Sequence, residues 1–112
     1  MGFKMIDEGS IEKALDFLRD TADEYGNLVG EAIGAEKKIS IVEAIEFDKI
    51  EKGGEQTKKM KARATQAYQD AVDEYRDVEA KLISLKCHRE TAQSKISWAQ
   101  SLLRSKQQGV TL

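Results

Sequence analysis

The segment ATQAYQDAVDEYRDVEAKLISLKCHRETAQSKISWAQSLL, residues 64–103, decides the fold. Its apolar residues recur at alternating steps of four and three, the a/d repeat of a coiled coil, with one polar interruption at Arg89. Such a sustained repeat predicts one long helix, from about residue 55 to residue 107, that packs along its seam against a partner helix. Gly109 is the residue expected to stop this helix. The seam contains Tyr68, Tyr75, Leu82, Leu85, Ile96 and Leu103, together with Ala64, Ala71, Val78, Ala92 and Ala99.

The first half of the chain repeats this pattern less regularly. Ser10 is a suitable N-cap for a first helix that extends to about residue 52. Gly53 and Gly54 then predict a turn. We therefore expect an all-α fold, a single domain of residues 1–112, in which two long helices form an antiparallel coiled-coil hairpin. The apolar positions of the first helix are Ile11, Leu15, Leu18, Ala22, Tyr25, Val29, Ala32 and Ile39.

Three glycines interrupt this first helix at a spacing of four, namely Gly26, Gly30 and Gly34. Each costs about 1 kcal/mol relative to alanine inside a helix. Two interpretations remain open. The glycines either break the helix near residues 26–34, or they form a groove of small residues where another helix backbone approaches closely.

Several apolar residues lie off the two seams, among them Leu28, Ile33, Ile83, Trp98 and Leu102. One thin partner helix cannot cover all of them, and contiguous exposed apolar patches are rare on monomers. The pattern therefore predicts that the chain associates with copies of itself, either as a helical bundle or as a ring.

The composition argues against several classes of protein. Residues of the chain are 34% charged and 6% aromatic, without proline. No apolar run reaches the length of a membrane helix, and the N-terminus lacks a secretory apolar region, so an intracellular protein is expected. Cys87 and His88 are adjacent, point about 100° apart on a helix and lack a third catalytic group. We therefore expect no enzyme activity, no metal and no cofactor.

Charge is distributed unevenly along the chain. Residues 1–57 carry 7 basic and 14 acidic side chains, a net charge of −7, whereas residues 58–112 carry 11 and 6, a net charge of +5. One basic group, Lys58, Lys59, Lys61 and Arg63, either pairs with acidic residues at the facing end of helix 1 or contacts phosphates. In a second group, Lys95, Trp98 and Arg104 fit the stacking and phosphate contacts of single-stranded DNA binding, although Trp98 equally suits an oligomer interface.

Three stretches carry a resemblance to a known family: EYGNLVGEAIGAEKK (24–38), AYQDAVDEYRDVEAKLISLK (67–86) and ETAQSKISWAQSLLRSK (90–106). Across about residues 11–107 the chain resembles small helical phage proteins of recombination and replication clusters, in outline the recombination mediators of the UvsY type. The resemblance implies an oligomeric accessory protein of the bacterial host cytoplasm that binds single-stranded DNA and helps to load a recombinase. The family's basic Lys-x-Arg element is matched by Lys61 and Arg63, but here it follows the glycine turn instead of preceding the loop.

A rival interpretation is a protein-binding coiled coil, such as a phage inhibitor of a host defence complex or a scaffold. In that case the acidic half of the chain makes the functional contacts. The residues expected to do so include Asp16, Asp20, Asp23 and Glu24.

Overall fold

The computed structural model describes residues 8–108, which form four helices. They are α1 (Glu8–Asp20), α2 (Ala22–Asp48), α3 (Glu55–Arg63) and α4 (Gln66–Gln107). No strand occurs in this part of the chain, so the predicted all-α class is confirmed. Gly109, the expected helix stop, lies outside the described residues.

The chain forms two compact units. The central unit, Gly26–Ile83, contains most of α2, all of α3 and the first part of α4. The terminal unit contains the remaining described residues, 8–25 and 84–108, and so includes α1 and the last part of α4.

The helix boundaries differ from the two uninterrupted helices that the periodicity predicts. The first helix is divided at Thr21 and ends at Asp48, and the second is divided at Ala64 and Thr65. Ser10 lies inside α1, so its assignment as the N-cap was wrong.

The interruption at Thr21 has a cause in the terminal unit. Arg89 Nη1 donates hydrogen bonds to the backbone oxygen of Leu18 at 2.8 Å and to Thr21 Oγ1 at 2.7 Å. Thr21 Oγ1 in turn donates to the backbone oxygen of Phe17 at 2.7 Å. Side chains that bond to helix carbonyls in this way bend a helix. The polar interruption of the seam therefore has a structural role, because Arg89 marks the boundary between α1 and α2.

The interruption between α3 and α4 is built around Thr65. Its backbone nitrogen and its Oγ1 both donate to the oxygen of Ala62, at 3.3 and 2.8 Å, which closes the end of α3. The same Oγ1 accepts the backbone N–H of Tyr68 at 3.3 Å, as an N-cap side chain does at the start of a helix. Thr65 thus ends one helix and begins the next.

The glycines of α2 do not break the helix. Gly26, Gly30 and Gly34 all lie within α2, and a Cβ added at any of them would meet nothing within 4 Å. Among the described residues, therefore, nothing fills the space beside these glycines. The turn at the predicted position requires a glycine, since Gly53 has a φ of +121°, a backbone conformation that other residues rarely adopt.

Alanines form the buried core of both units. Ala32, Ala35, Ala62 and Ala71 are buried in the central unit, and Ala14 and Ala92 in the terminal unit. No larger side chain is buried to the same degree in residues 8–108. Small residues at the contact let helices approach closely, but they leave the bulkier side chains beside them only partly covered.

The predicted seam follows this core along most of α4. Tyr68, Tyr75, Leu82, Leu85 and Ile96 are half-buried. Leu103, however, is 58% exposed, whereas its neighbour Leu102 is half-buried. Both leucines line an open groove together with the first described turn of α1.

Candidate interaction surfaces

The first basic group lies on α3, next to acidic residues of α2. Arg63 Nη2 is 3.3 Å from Glu43 Oε1. This hydrogen bond, with the charge attraction of the same carboxylate, raises the pKa of the Arg63 guanidinium. Of the two interpretations of this group, pairing with an acidic residue is what the structure shows for Arg63, since Glu43 lies on α2.

The lysines of the same group are less strongly engaged. The Lys58 ammonium lies 5.7 Å from the centroid of the Phe47 ring, within the range of a cation–π interaction. Lys59 lines a groove together with Glu43, Asp48 and Glu55. Lys61 is exposed, and no described carboxylate lies within ion-pair distance of Lys59 or Lys61. Lys61 is therefore the more accessible of the two to a phosphate backbone, because Lys59 is half-buried beside three carboxylates.

The residues of the second predicted group, Lys95, Trp98 and Arg104, all lie on the last part of α4. Lys95 is half-buried and lines a groove shared by α1 and α4. Trp98 is 52% exposed and borders a different groove, formed by α4 alone. Arg104 is nine positions beyond Lys95, about two and a half helical turns, and so points to the opposite side of α4. Arg104 is therefore separated from Lys95, whereas Lys95 and Trp98 are three positions apart, about one helical turn, and are neighbours on the surface of α4.

The acidic residues of α1 that the rival interpretation uses are partly occupied. Arg19 is 3.3 Å from Asp16 Oδ1 and 3.1 Å from Asp20 Oδ1. The hydrogen bond to Asp20 and the nearby charges of both aspartates raise the pKa of Arg19. Asp23 and Glu24 are exposed in the first turn of α2, where the helix dipole favours negative charge.

Three exposed large apolar residues lie on α2 in the central unit. Ile33, Ile41 and Ile45 are 51%, 58% and 50% exposed. Their spacing, in multiples of four, places them within an arc of about 120° on the helix. Gly26, Gly30 and Gly34 lie in the same arc, as does Lys37. We call this surface the outer face of α2.

Sequence reasoning identified the glycines and Ile33 but missed Ile41 and Ile45 as exposed residues. The spacing of four between Gly30 and Gly34, repeated between Ile41 and Ile45, was the available signal. It was obscured because KISIVEAI is apolar on more than one side, so the sequence alone does not show which side faces inward.

Other functional features are sparse in the described part of the chain. No group of three or more histidine, cysteine or acidic residues among residues 8–108 is arranged to hold a metal ion. In the same residues, no helix has an apolar stretch that could cross a lipid bilayer. Cys87 is a free, exposed thiol, and the His88 ring packs edge-on against Phe17, with 6.5 Å between the centroids.

Comparisons with protein-family models, with curated proteins and with solved structures find no significant match to this chain.

Proposed function

We propose that this chain is a non-enzymatic helical assembly protein that binds further copies of itself through the outer face of α2. The observation that carries this proposal is the exposure of Ile33, Ile41 and Ile45 on one side of a helix whose opposite side holds the buried Ala32 and Ala35. Full burial of an exposed isoleucine side chain is worth about 1.5–3 kcal/mol, and since these three are already about half covered, a partner surface adds roughly half of that at each position.

The projecting isoleucines and the open space beside the glycines on this face have the same spacing along the helix. Gly30 and Gly34 leave open space, and Ile41 and Ile45 project one turn apart from each other, as the two glycines do. In an antiparallel, two-fold arrangement of two α2 helices, Ile41 of each copy lies beside Gly34 of the other, and Ile45 beside Gly30. A two-fold interface uses one surface twice, so both contacts form on both sides. The cost of the glycines is then offset by close packing between protomers.

The proposed arrangement also has an electrostatic consequence. Lys37 and Lys38 lie near the two-fold axis, so the same charges from both copies approach each other. Lys38 is compensated by Glu74, at 2.8 Å, whereas Lys37 has no described ion pair. Because salt screens such repulsion, self-association should strengthen as the salt concentration rises.

Light scattering tests the proposal. The wild-type chain should give a mass that is a multiple of 12.5 kDa, and Ile41→Lys should shift it to a single chain. Met60→Lys is the matched control, since Met60 is 67% exposed on α3 and lies off the outer face of α2. A wild-type mass of 12.5 kDa, or equal effects of the two variants, would contradict the proposal.

A second candidate function is the binding of single-stranded DNA by a phage recombination accessory protein, together with a recombinase. Two separate observations favour it: Trp98 is 52% exposed in the terminal unit, and Lys61 is exposed on α3 in the central unit. Affinity for an oligonucleotide should fall with salt, with a slope of about −0.7 per neutralised phosphate. This dependence is opposite in sign to that of self-association, so one salt series separates the two functions.

Variants refine the DNA test. Lys59→Gln and Lys61→Gln should each make the slope of log affinity against log salt concentration less steep, by the amount that corresponds to about one neutralised phosphate. Arg63→Gln should reduce it less, because Glu43 already pairs with Arg63. A flat salt response, or no binding at low salt, would eliminate this candidate.

A further inference from the structure

A groove between α1 and α4 in the terminal unit has the features of a small binding site. It has a volume of about 380 Å³, which lies in the range of small-molecule sites. Its floor contains the buried Ala14 and Ala92, each 6% exposed. Phe17 and His88 lie beside this floor, with 6.5 Å between their ring centroids and an angle of 81° between the rings.

The charged residues of this groove have one sign. Lys13 lies on the α1 side and Lys95 on the α4 side, and no carboxylate lines the groove. Asp16, one turn from Lys13, is paired with Arg19 at 3.3 Å. Thr91 adds a hydroxyl group to the lining.

Other grooves of residues 8–108 have a different electrostatic character. The groove at the first turn of α1 contains Glu8 and Glu12, and the groove beside Trp98 contains Glu90. The groove beside Lys59 contains three carboxylates. A dissolved anion is therefore attracted to the Lys13–Lys95 groove more strongly than to any of these three.

We propose that the groove between Lys13 and Lys95 binds a phosphate ester that carries a planar ring. The two ammonium groups, on different helices, hold the phosphate from both sides, and lysine is a common phosphate ligand. The ring rests on the alanine floor beside Phe17 and His88, where aromatic contacts add to the burial of apolar surface. The groove lies in the terminal unit, whereas the outer face of α2 lies in the central unit.

Two sources can supply this chemistry, a free nucleotide and a nucleotide within single-stranded DNA. Titrations of the ¹⁵N-labelled full chain with thymidine monophosphate and with oligothymidylate distinguish them. A free-nucleotide site binds the monophosphate with a Kd of about 1 mM or lower and gains little from the oligonucleotide, whereas a DNA site favours the oligonucleotide by about tenfold or more. Amide shifts should concentrate at Ala14, Thr91 and Lys95. Shifts confined to other residues, or no binding of either ligand, would overturn the proposal.

Two simpler probes measure how much the phosphate and the ring each contribute to binding. Thymidine lacks the phosphate and inorganic phosphate lacks the ring, so each should bind at least about tenfold more weakly than the monophosphate. Equal binding of thymidine would remove the role of the lysines. Equal binding of inorganic phosphate would remove the role of the ring.

Charge-neutralising variants test whether the monophosphate binds in this groove. Lys13→Gln and Lys95→Gln should each weaken monophosphate binding about tenfold, which corresponds to about 1.4 kcal/mol. Lys86→Gln is the control, because Lys86 is an exposed lysine of α4 in the same unit that does not line the groove. Circular dichroism checks that each variant retains its helix content. Equal losses in all three variants would show a non-specific charge effect and contradict the site.

Discussion

The Arg89 guanidinium donates a hydrogen bond to the backbone oxygen of Leu18, with 2.8 Å between Nη1 and that oxygen, although the two residues are 71 positions apart in the sequence. The same guanidinium lies 5.0 Å from the centroid of the Tyr25 ring. Arg89 therefore joins the end of α1, the start of α2 and the last part of α4 within the terminal unit. A charged residue at a seam position is explained by these contacts, since both the carbonyl and the ring favour a cation.

Replacement of Arg89 by methionine should destabilise the protein by about 2 kcal/mol, because hydrogen bonds to a charged group are lost and methionine cannot replace them. Urea unfolding measures this change. Lys86→Met, at an exposed position three residues earlier on α4, is the control and should change stability by less than about 0.5 kcal/mol. Equal stability of the two variants would show that the Arg89 contacts contribute nothing.

Thr65 and Thr91 offer a matched pair of threonines on the second half of the chain. Thr65→Ala should cost about 1 kcal/mol, because Thr65 caps α4 through the N–H of Tyr68. Thr91→Ala should be nearly neutral, since Thr91 is exposed within α4 and its hydroxyl donates only to the oxygen of Cys87. Thermal unfolding compares them, and an equal loss in both variants would exclude a capping role for Thr65.

Tyr75 should ionise at a higher pH than an ordinary tyrosine. Its hydrogen bond to Glu79 raises its pKa above 10.0, with further contributions from burial and from the charges of Glu79 and Glu36. Because the folded state holds this proton more tightly, the stabilising effect is complete below pH 10.0 and is lost as the pH rises through the folded-state pKa. Ultraviolet absorbance of the phenolate follows the titration, and Glu79→Gln should lower the pKa. An unchanged titration in Glu79→Gln would contradict this assignment.

The helical class was predictable from the sequence because the 4-3 repeat extends from Tyr68 to Ile96, far beyond the length of a chance match. The helix interruptions were not predictable by the same means. Arg89 contacts the boundary at Thr21 but is distant in sequence, and no local propensity reports that contact. Thr65 has a local signal, a threonine before an alanine-rich helix start, but the continuous periodicity around it concealed this signal.

The basic groups were predictable as charge clusters, but their surroundings were not. Glu43 stands beside Arg63 and Phe47 beside Lys58 only because α2 and α3 pack in one unit. Lys95 was grouped with Trp98 because both lie on one flank of the helix, and the structure adds that Lys95 also lines a groove with residues of α1. The partner of a long side chain on a helix depends on the neighbouring helix, and the sequence of one helix does not contain it.

Gly30→Ala should have opposite effects on the stability of the single chain and on its self-association. The added methyl group meets nothing within 4 Å in the protomer, so it should stabilise the helix by about 1 kcal/mol. In the proposed two-fold contact, the same methyl group collides with Ile45 of the partner and should weaken self-association. Unfolding measured at low concentration and mass measured at high concentration test the two effects. Stabilisation without any loss of association would remove Gly30 from the interface.

The proposal that the outer face of α2 meets its own copy is tested most directly by a spin label near the two-fold axis. In a Cys87→Ser background, a label on Lys37→Cys should show strong dipolar broadening at high concentration, because packed helix axes lie only about 8–10 Å apart. The same label on Met60→Cys should give a mobile, unbroadened spectrum. Broadening at Lys37→Cys that disappears on dilution is the predicted result, and a mobile spectrum at both positions at every concentration would contradict the account.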